Sequence, residues 1–140
     1  MKLKSILAFL LVAAIFNGSV PSAFAAESSA NQPFILQWVN TAAIEMNLTF
    51  SNGNAMASCI ISGQPSVTDI SATYVLQRKN ANGTYTNLIT WSGRNSKSQD
   101  IIFDESYPVK SGYTYRFKAS ATLTAKGVSE QVSDSIEKSY

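Results

Sequence analysis

Hydrophobic and polar residues alternate along most of this chain, and the alternation becomes clear at Ile44. Ile44, Met46, Leu48 and Phe50 are separated by polar residues, the period of a strand with one face buried. Asn52-Gly53 follows, a pair suited to a tight hairpin because both residues tolerate positive φ. The next run puts Ala55, Ala57, Cys59 and Ile61 on one face and ends at Gly63-Gln64-Pro65. Ile70, Ala72, Tyr74 and Leu76 repeat the pattern. A second turn signal, Asn82-Gly83, precedes a run whose bulky residues are Tyr85, Ile89 and Trp91. The polar connection Ser92 to Gln99 leads to the short run Asp100 to Asp104. Beyond Tyr107-Pro108, the residues Tyr113, Tyr115, Phe117, Ala119, Ala121 and Leu123 share one register. Thr114, Arg116, Lys118, Ser120 and Thr122 stand opposite them. A turn at Ala125-Lys126-Gly127 introduces a weaker strand through Val132 and Ile136.

About seven short strands separated by turn residues predict an all-β antiparallel sandwich. No helical period competes with this reading, and no internal repeat or low-complexity tract is visible. Residues 44–140 are expected to form the sandwich, with Tyr74, Leu76, Tyr115, Phe117 and Leu123 in its core. Tyr113 shares their register but sits at the mouth of its strand. Residues 26–43 are expected to be a flexible leader or first strand, with Pro33 to Ala43 either that strand or a loop that lays Trp38 against the domain.

The first 25 residues follow a different logic. Lys2 and Lys4 precede an uncharged apolar run from Ile6 to Phe16, and Ala23-Phe24-Ala25 offers a small-x-small cleavage site. This predicts a signal peptide cut near Ala25. The run falls short of the roughly 20 apolar residues that span a bilayer, so the mature form is expected to be secreted and free of the membrane. Its removal changes the charge: 11 basic residues fall to nine, beside nine acidic ones. A neutral domain lacks the excess positive charge that nucleic-acid binding uses. Cys59 is the single cysteine, so no internal disulfide forms and packing must carry the stability. It is expected to be a small buried hydrophobe.

The segment Val109-Lys110-Ser111-Gly112-Tyr113-Thr114-Tyr115 is similar to the connection before strand F of fibronectin type III domains. There a tyrosine follows three residues after a turn glycine, the place that Tyr115 takes here. Ile70 to Leu88 resembles the family's strand C, its following turn and strand C′, and Gly127 with the serine-rich last strand fits the F–G region. The resemblance covers about two-thirds of the mature chain by pattern. Cys59 or Ile61 lies where the family usually carries a strand-B tryptophan, and the paired cysteines of immunoglobulin domains are absent. The resemblance thus implies an immunoglobulin-like or fibronectin III-like sandwich, with binding, adhesion or spacing as its function. On physical grounds a tyrosine at that corner buries its ring and sends its hydroxyl to a backbone group.

The chain has no histidine, which removes imidazole-based catalysis and imidazole zinc sites. The glycines fall singly at turns, not in a phosphate-cradling loop. No cofactor, metal or catalytic residue is expected. Asp100, Asp104 and Glu105 cluster, but without the spacing of a calcium loop. The remaining candidates are aromatic: Trp38, Tyr85, Trp91 and Tyr107 lie beside turns or on an edge strand, where rings either stack on a partner or plug the ends of the sandwich. The leading expectation is a small exported, non-enzymatic interaction module whose partner is a protein or polysaccharide. A carbohydrate- or envelope-polymer-binding module using exposed aromatics is the alternative. A self-assembling surface protein that pairs edge strands comes next, so the domain is a monomer or an edge-strand oligomer. A hydrolase built on carboxylates alone stands last, since it needs two of them facing one cleft.

Overall fold

The computed structural model describes residues 38–140. The expected signal peptide, residues 1–25, and residues 26–37 of the expected leader lie outside them. The described residues form seven strands: β1 (Thr41–Ser51), β2 (Asn54–Gly63), β3 (Val67–Lys79), β4 (Tyr85–Ser96), β5 (Asp100–Pro108), β6 (Thr114–Ala125) and β7 (Val128–Ser139). They make a three-stranded sheet, β1-β2-β5, and a four-stranded sheet, β4-β3-β6-β7, with every pairing antiparallel. The fold is an all-β sandwich. β1 starts at Thr41, a few residues before the alternation becomes legible. Asn52 and Gly53 both take positive φ, at 50° and 75°, which gives the β1–β2 hairpin the twist that its strands require.

Alternation delivers the core. Leu48 from β1, Ala57, Cys59 and Ile61 from β2, and Tyr74 and Leu76 from β3 are all buried, as are Phe103 from β5 and Tyr115, Phe117 and Leu123 from β6. The rings form one stack through the middle: Phe103 lies 4.0 Å from Tyr74 and 5.6 Å from Phe117, centroid to centroid. Cys59 pairs with Phe103 across the sheet, and burial, with a smaller effect of the Asp134 carboxylate, pushes its thiol up to about 12. Such a thiol is a hydrophobe at neutral pH, not a nucleophile.

Two core tyrosines differ in what their hydroxyls meet. The Tyr115 hydroxyl donates to the Lys110 carbonyl at 2.6 Å and accepts from the Lys110 N–H at 3.1 Å. These bonds tie the β5–β6 connection to the strand that it enters, the arrangement of a tyrosine corner. Tyr115→Phe is expected to cost about 1–2 kcal/mol, read as a lower denaturation midpoint with an unchanged slope. The Tyr74 hydroxyl is buried and has no hydrogen-bonding partner among the described residues. Since an unpaired buried hydroxyl costs free energy, Tyr74→Phe is expected to leave the midpoint unchanged or raise it. A clear loss of stability would show that the hydroxyl has a partner after all. Tyr113 keeps its place at the mouth of the strand, edge-on to Tyr115, but is not part of the core. It precedes β6, is exposed, and lies under the Arg78 guanidinium at 4.9 Å.

Candidate functional site

The four aromatic candidates do not converge. Sequence alternation puts Tyr85 and Trp91 on one face, but one of the two irregularities in the β3–β4 register falls between them. Trp91 pairs with Tyr74 and faces inward, whereas Tyr85 pairs with Lys79 and faces out. One slip lies near Leu88, between the Leu76–Ile89 and Gln77–Asn87 pairs. The other lies at Ser92-Gly93, where Gly93 takes φ of 68°, as a glycine bulge requires. Trp91 packs edge-on to Phe103 at 5.2 Å. Tyr85 lies beneath the Arg116 guanidinium, 3.5 Å from the ring centroid, and its hydroxyl donates to Glu137. Tyr107 lines a small cavity of about 200 Å³ with Leu88, Val109 and Tyr115. Trp38 packs against the core just before β1. All four are half-buried, and no two share an open platform.

The carboxylates divide in the same manner. Asp100 and Asp104 face outward on β5, at the parity of exposed Ile102. Glu105 has the inward parity and reaches across the open side of the sandwich to Arg94, 2.6 Å away. Among the described residues, no three potential metal-ligating side chains come together.

Two broad surfaces remain. On the outer face of the four-stranded sheet, Ser71, Thr73, Ser120, Thr122, Gln131 and Ser133 line a shallow trough of about 560 Å³. Hydroxyls near the ends of β6 and β7 bond each other, Thr114 to Ser139 and Thr124 to Ser129, both at 2.9 Å. Those of the trough are left to solvent or a ligand.

The outer face of the three-stranded sheet is different in kind. Ile60 pairs with Ile102 and with Glu45, Ser58 with Asp104 and Asn47, and Met56 with Ser106 and Thr49. Ile102 is 74% exposed, Met56 47% and Ile60 39%, so three aliphatic side chains stand in water beside two carboxylates. A hollow of about 340 Å³ lies among Glu45, Ile60, Ile102 and Asp104. No lysine or arginine occurs anywhere in β1, β2 or β5. All nine basic residues of the described part lie on the four-stranded sheet or in connections. The neutral domain is therefore polar in its charge distribution, with one acidic, apolar side.

One residue that the sequence did not single out organises the other side, where β1 meets β7. The Glu130 carboxylate accepts from the backbone N–H groups of Val39, Asn40 and Thr41 at 2.6, 3.0 and 2.8 Å, and from the Thr41 hydroxyl at 2.8 Å. The Asn40 amide donates to the carbonyls of Leu123 and Val128. Burial works against ionisation of Glu130, but the hydrogen bonds outweigh it and hold its pKa below the ordinary 4.5. This closes the β1–β7 side and leaves the β4–β5 side as the open one.

No family model matches the chain, and no curated protein matches it. Among solved structures it is similar to CsgH from R. palustris, at 16% identity and a TM-score of 0.39 over 64% of this chain and 87% of that one. The sporulation control protein Spo0M of Bacillus subtilis is 11% identical, with a TM-score of 0.43 over 70% of this chain and 49% of its own. OgpA of Akkermansia muciniphila is 13% identical, with a TM-score of 0.35 over 71% of this chain and 29% of its own. The chain thus spans about half of Spo0M and under a third of OgpA.

Proposed function

We propose that this chain is a small exported, non-enzymatic interaction module whose partner docks on the outer face of the three-stranded sheet. The observation that carries the reading is the exposed Ile60–Ile102 pair beside Glu45 and Asp104, with exposed Met56 beyond the polar row of Ser58 on the same face. Large apolar side chains paired in water on one sheet face and rimmed by polar residues mark a contact site. Export rests on the N-terminal charged, apolar and small-residue succession. The non-enzymatic reading is supported by the lack of histidine, the high thiol pKa of Cys59 and the opposite directions of Asp104 and Glu105. The strand order supports the fibronectin III-like resemblance. In immunoglobulin constant domains the fourth strand joins the first sheet, whereas here it pairs with the third strand.

The test immobilises the mature domain and measures retention of secreted proteins and envelope polymers of the source. Ile60→Ser/Ile102→Ser is expected to lose most of the specific retention while keeping the wild-type denaturation midpoint. Unchanged retention removes the proposed face. The hydroxyl-lined trough favours a second reading, a polysaccharide held on the four-stranded sheet. In that case Ser120→Lys, and not the isoleucine pair, abolishes retention.

A further inference from the structure

Resting on the interaction-module reading, we propose that the free edge of β5 receives an extended polypeptide segment of alternating basic and apolar residues, which joins the three-stranded sheet as its fourth strand. The sheets differ by one strand, and the deficit falls at one place. Phe103 of β5 packs on both Tyr74 of β3 and Trp91 of β4, so β5 lies over the inner strands and β4 projects past it. None of the twelve residues of β4 is buried, and its inward Ile89 and Trp91 are only half-covered. β5 pairs with β2 alone, without a bulge, from Asp100 to Pro108. The Asp100 carbonyl and N–H are taken by the Ser96 and Ser98 side chains, and Pro108 has no N–H, so the open row of backbone donors and acceptors that strand addition uses runs between Ile101 and Tyr107.

The chemistry of the incoming segment follows from the two faces of that edge. Its inward side chains fall over Ile89 and Trp91 and must be apolar. Its outward side chains stand beside Asp100, Ile102 and Asp104, on a sheet without a single cation, which selects lysine or arginine. The Arg94–Glu105 pair lies across the mouth of the gap, but both partners are well exposed, so moving it aside costs little. A second copy is a poor occupant, because pairing β5 with β5 brings the Asp100 and Asp104 carboxylates of two chains together.

A ten-residue peptide alternating valine and lysine is the probe, compared with its valine–glutamate counterpart. A third peptide has the lysine sequence with backbone N-methyl groups on alternate residues. The lysine peptide is expected to bind and to slow exchange of the free-edge amides between Ile101 and Tyr107 at least tenfold. Its affinity is expected to fall at least tenfold with Asp104→Lys, and the N-methylated and glutamate peptides are expected not to bind. Equal binding of the N-methylated peptide reduces the effect to charge attraction and overturns strand addition. Protection away from β5 overturns it as well. Self-association that grows with concentration and protects β5 without peptide assigns the edge to a second copy, and also overturns it. These failures leave the interaction reading standing, since that falls on the isoleucine pair and the retention assay.

Discussion

Phe103→Ala is expected to lower the unfolding free energy by about 3–5 kcal/mol, the range for removing a fully packed aromatic ring. Phe103 touches Tyr74, Phe117 and Trp91 at once and is 3% exposed. With buried Ile101 it seats β5 on the core, and its loss leaves a cavity bordered by three rings. Equilibrium denaturation checks the size of the effect. Amide exchange checks its location, with β5 expected to lose protection before β2. A loss under 1 kcal/mol would show that the stack repacks and that Ile101 and the pairing with β2 suffice to hold β5.

Glu130→Gln is expected to destabilise the domain by about 2 kcal/mol at neutral pH. One carboxylate accepts four hydrogen bonds at the start of β1. An amide in its place offers one acceptor oxygen and turns an N–H group toward donors. The pH dependence has a definite sign. The folded pKa of Glu130 is lowered from 4.5, so its contribution is fully present above the unfolded value and is lost as pH falls through the folded one. The stability gap between wild type and Glu130→Gln is therefore expected to be constant from pH 6 to 8 and to narrow below about pH 4.5. A gap that persists unchanged at pH 3 would mean that shape, not charge, holds β1 to β7.

Period-2 alternation made the fold readable, because both sheets bury one face and side chains alternate strictly. Tyr74, Leu76, Tyr115, Phe117 and Leu123 were readable on that ground, and Asn52-Gly53 fixed the first hairpin. Alternation failed where the pairing slips. The slip near Leu88 turns Tyr85 outward and leaves Trp91 inward, and no residue type there announces it, whereas Gly93 is the one local mark of the second slip. Glu130 was invisible for another reason: its partners lie about ninety positions away, and one glutamate in a polar strand carries no local mark. The acidic side was hidden by the balance of charge. Nine positive and nine negative residues say nothing about distribution. Once strands are assigned, however, the complete lack of lysine and arginine in β1, β2 and β5 can be read from the sequence itself. The isolated Ile102, apolar at a position where alternation asks for a polar residue, was the local signal of the same face.

On the proposed reading, the partner meets the three-stranded sheet on its acidic, apolar side. Site-resolved hydrogen exchange of the mature domain, with and without the material it retains from secreted and envelope fractions, tests this most directly. Protection is expected to appear around Ile60 of β2 and Ile102 of β5, with Ser71, Thr73, Ser120 and Thr122 unchanged. Protection confined to those four residues and their neighbours on β7, with β5 exchanging as in the free domain, would contradict it.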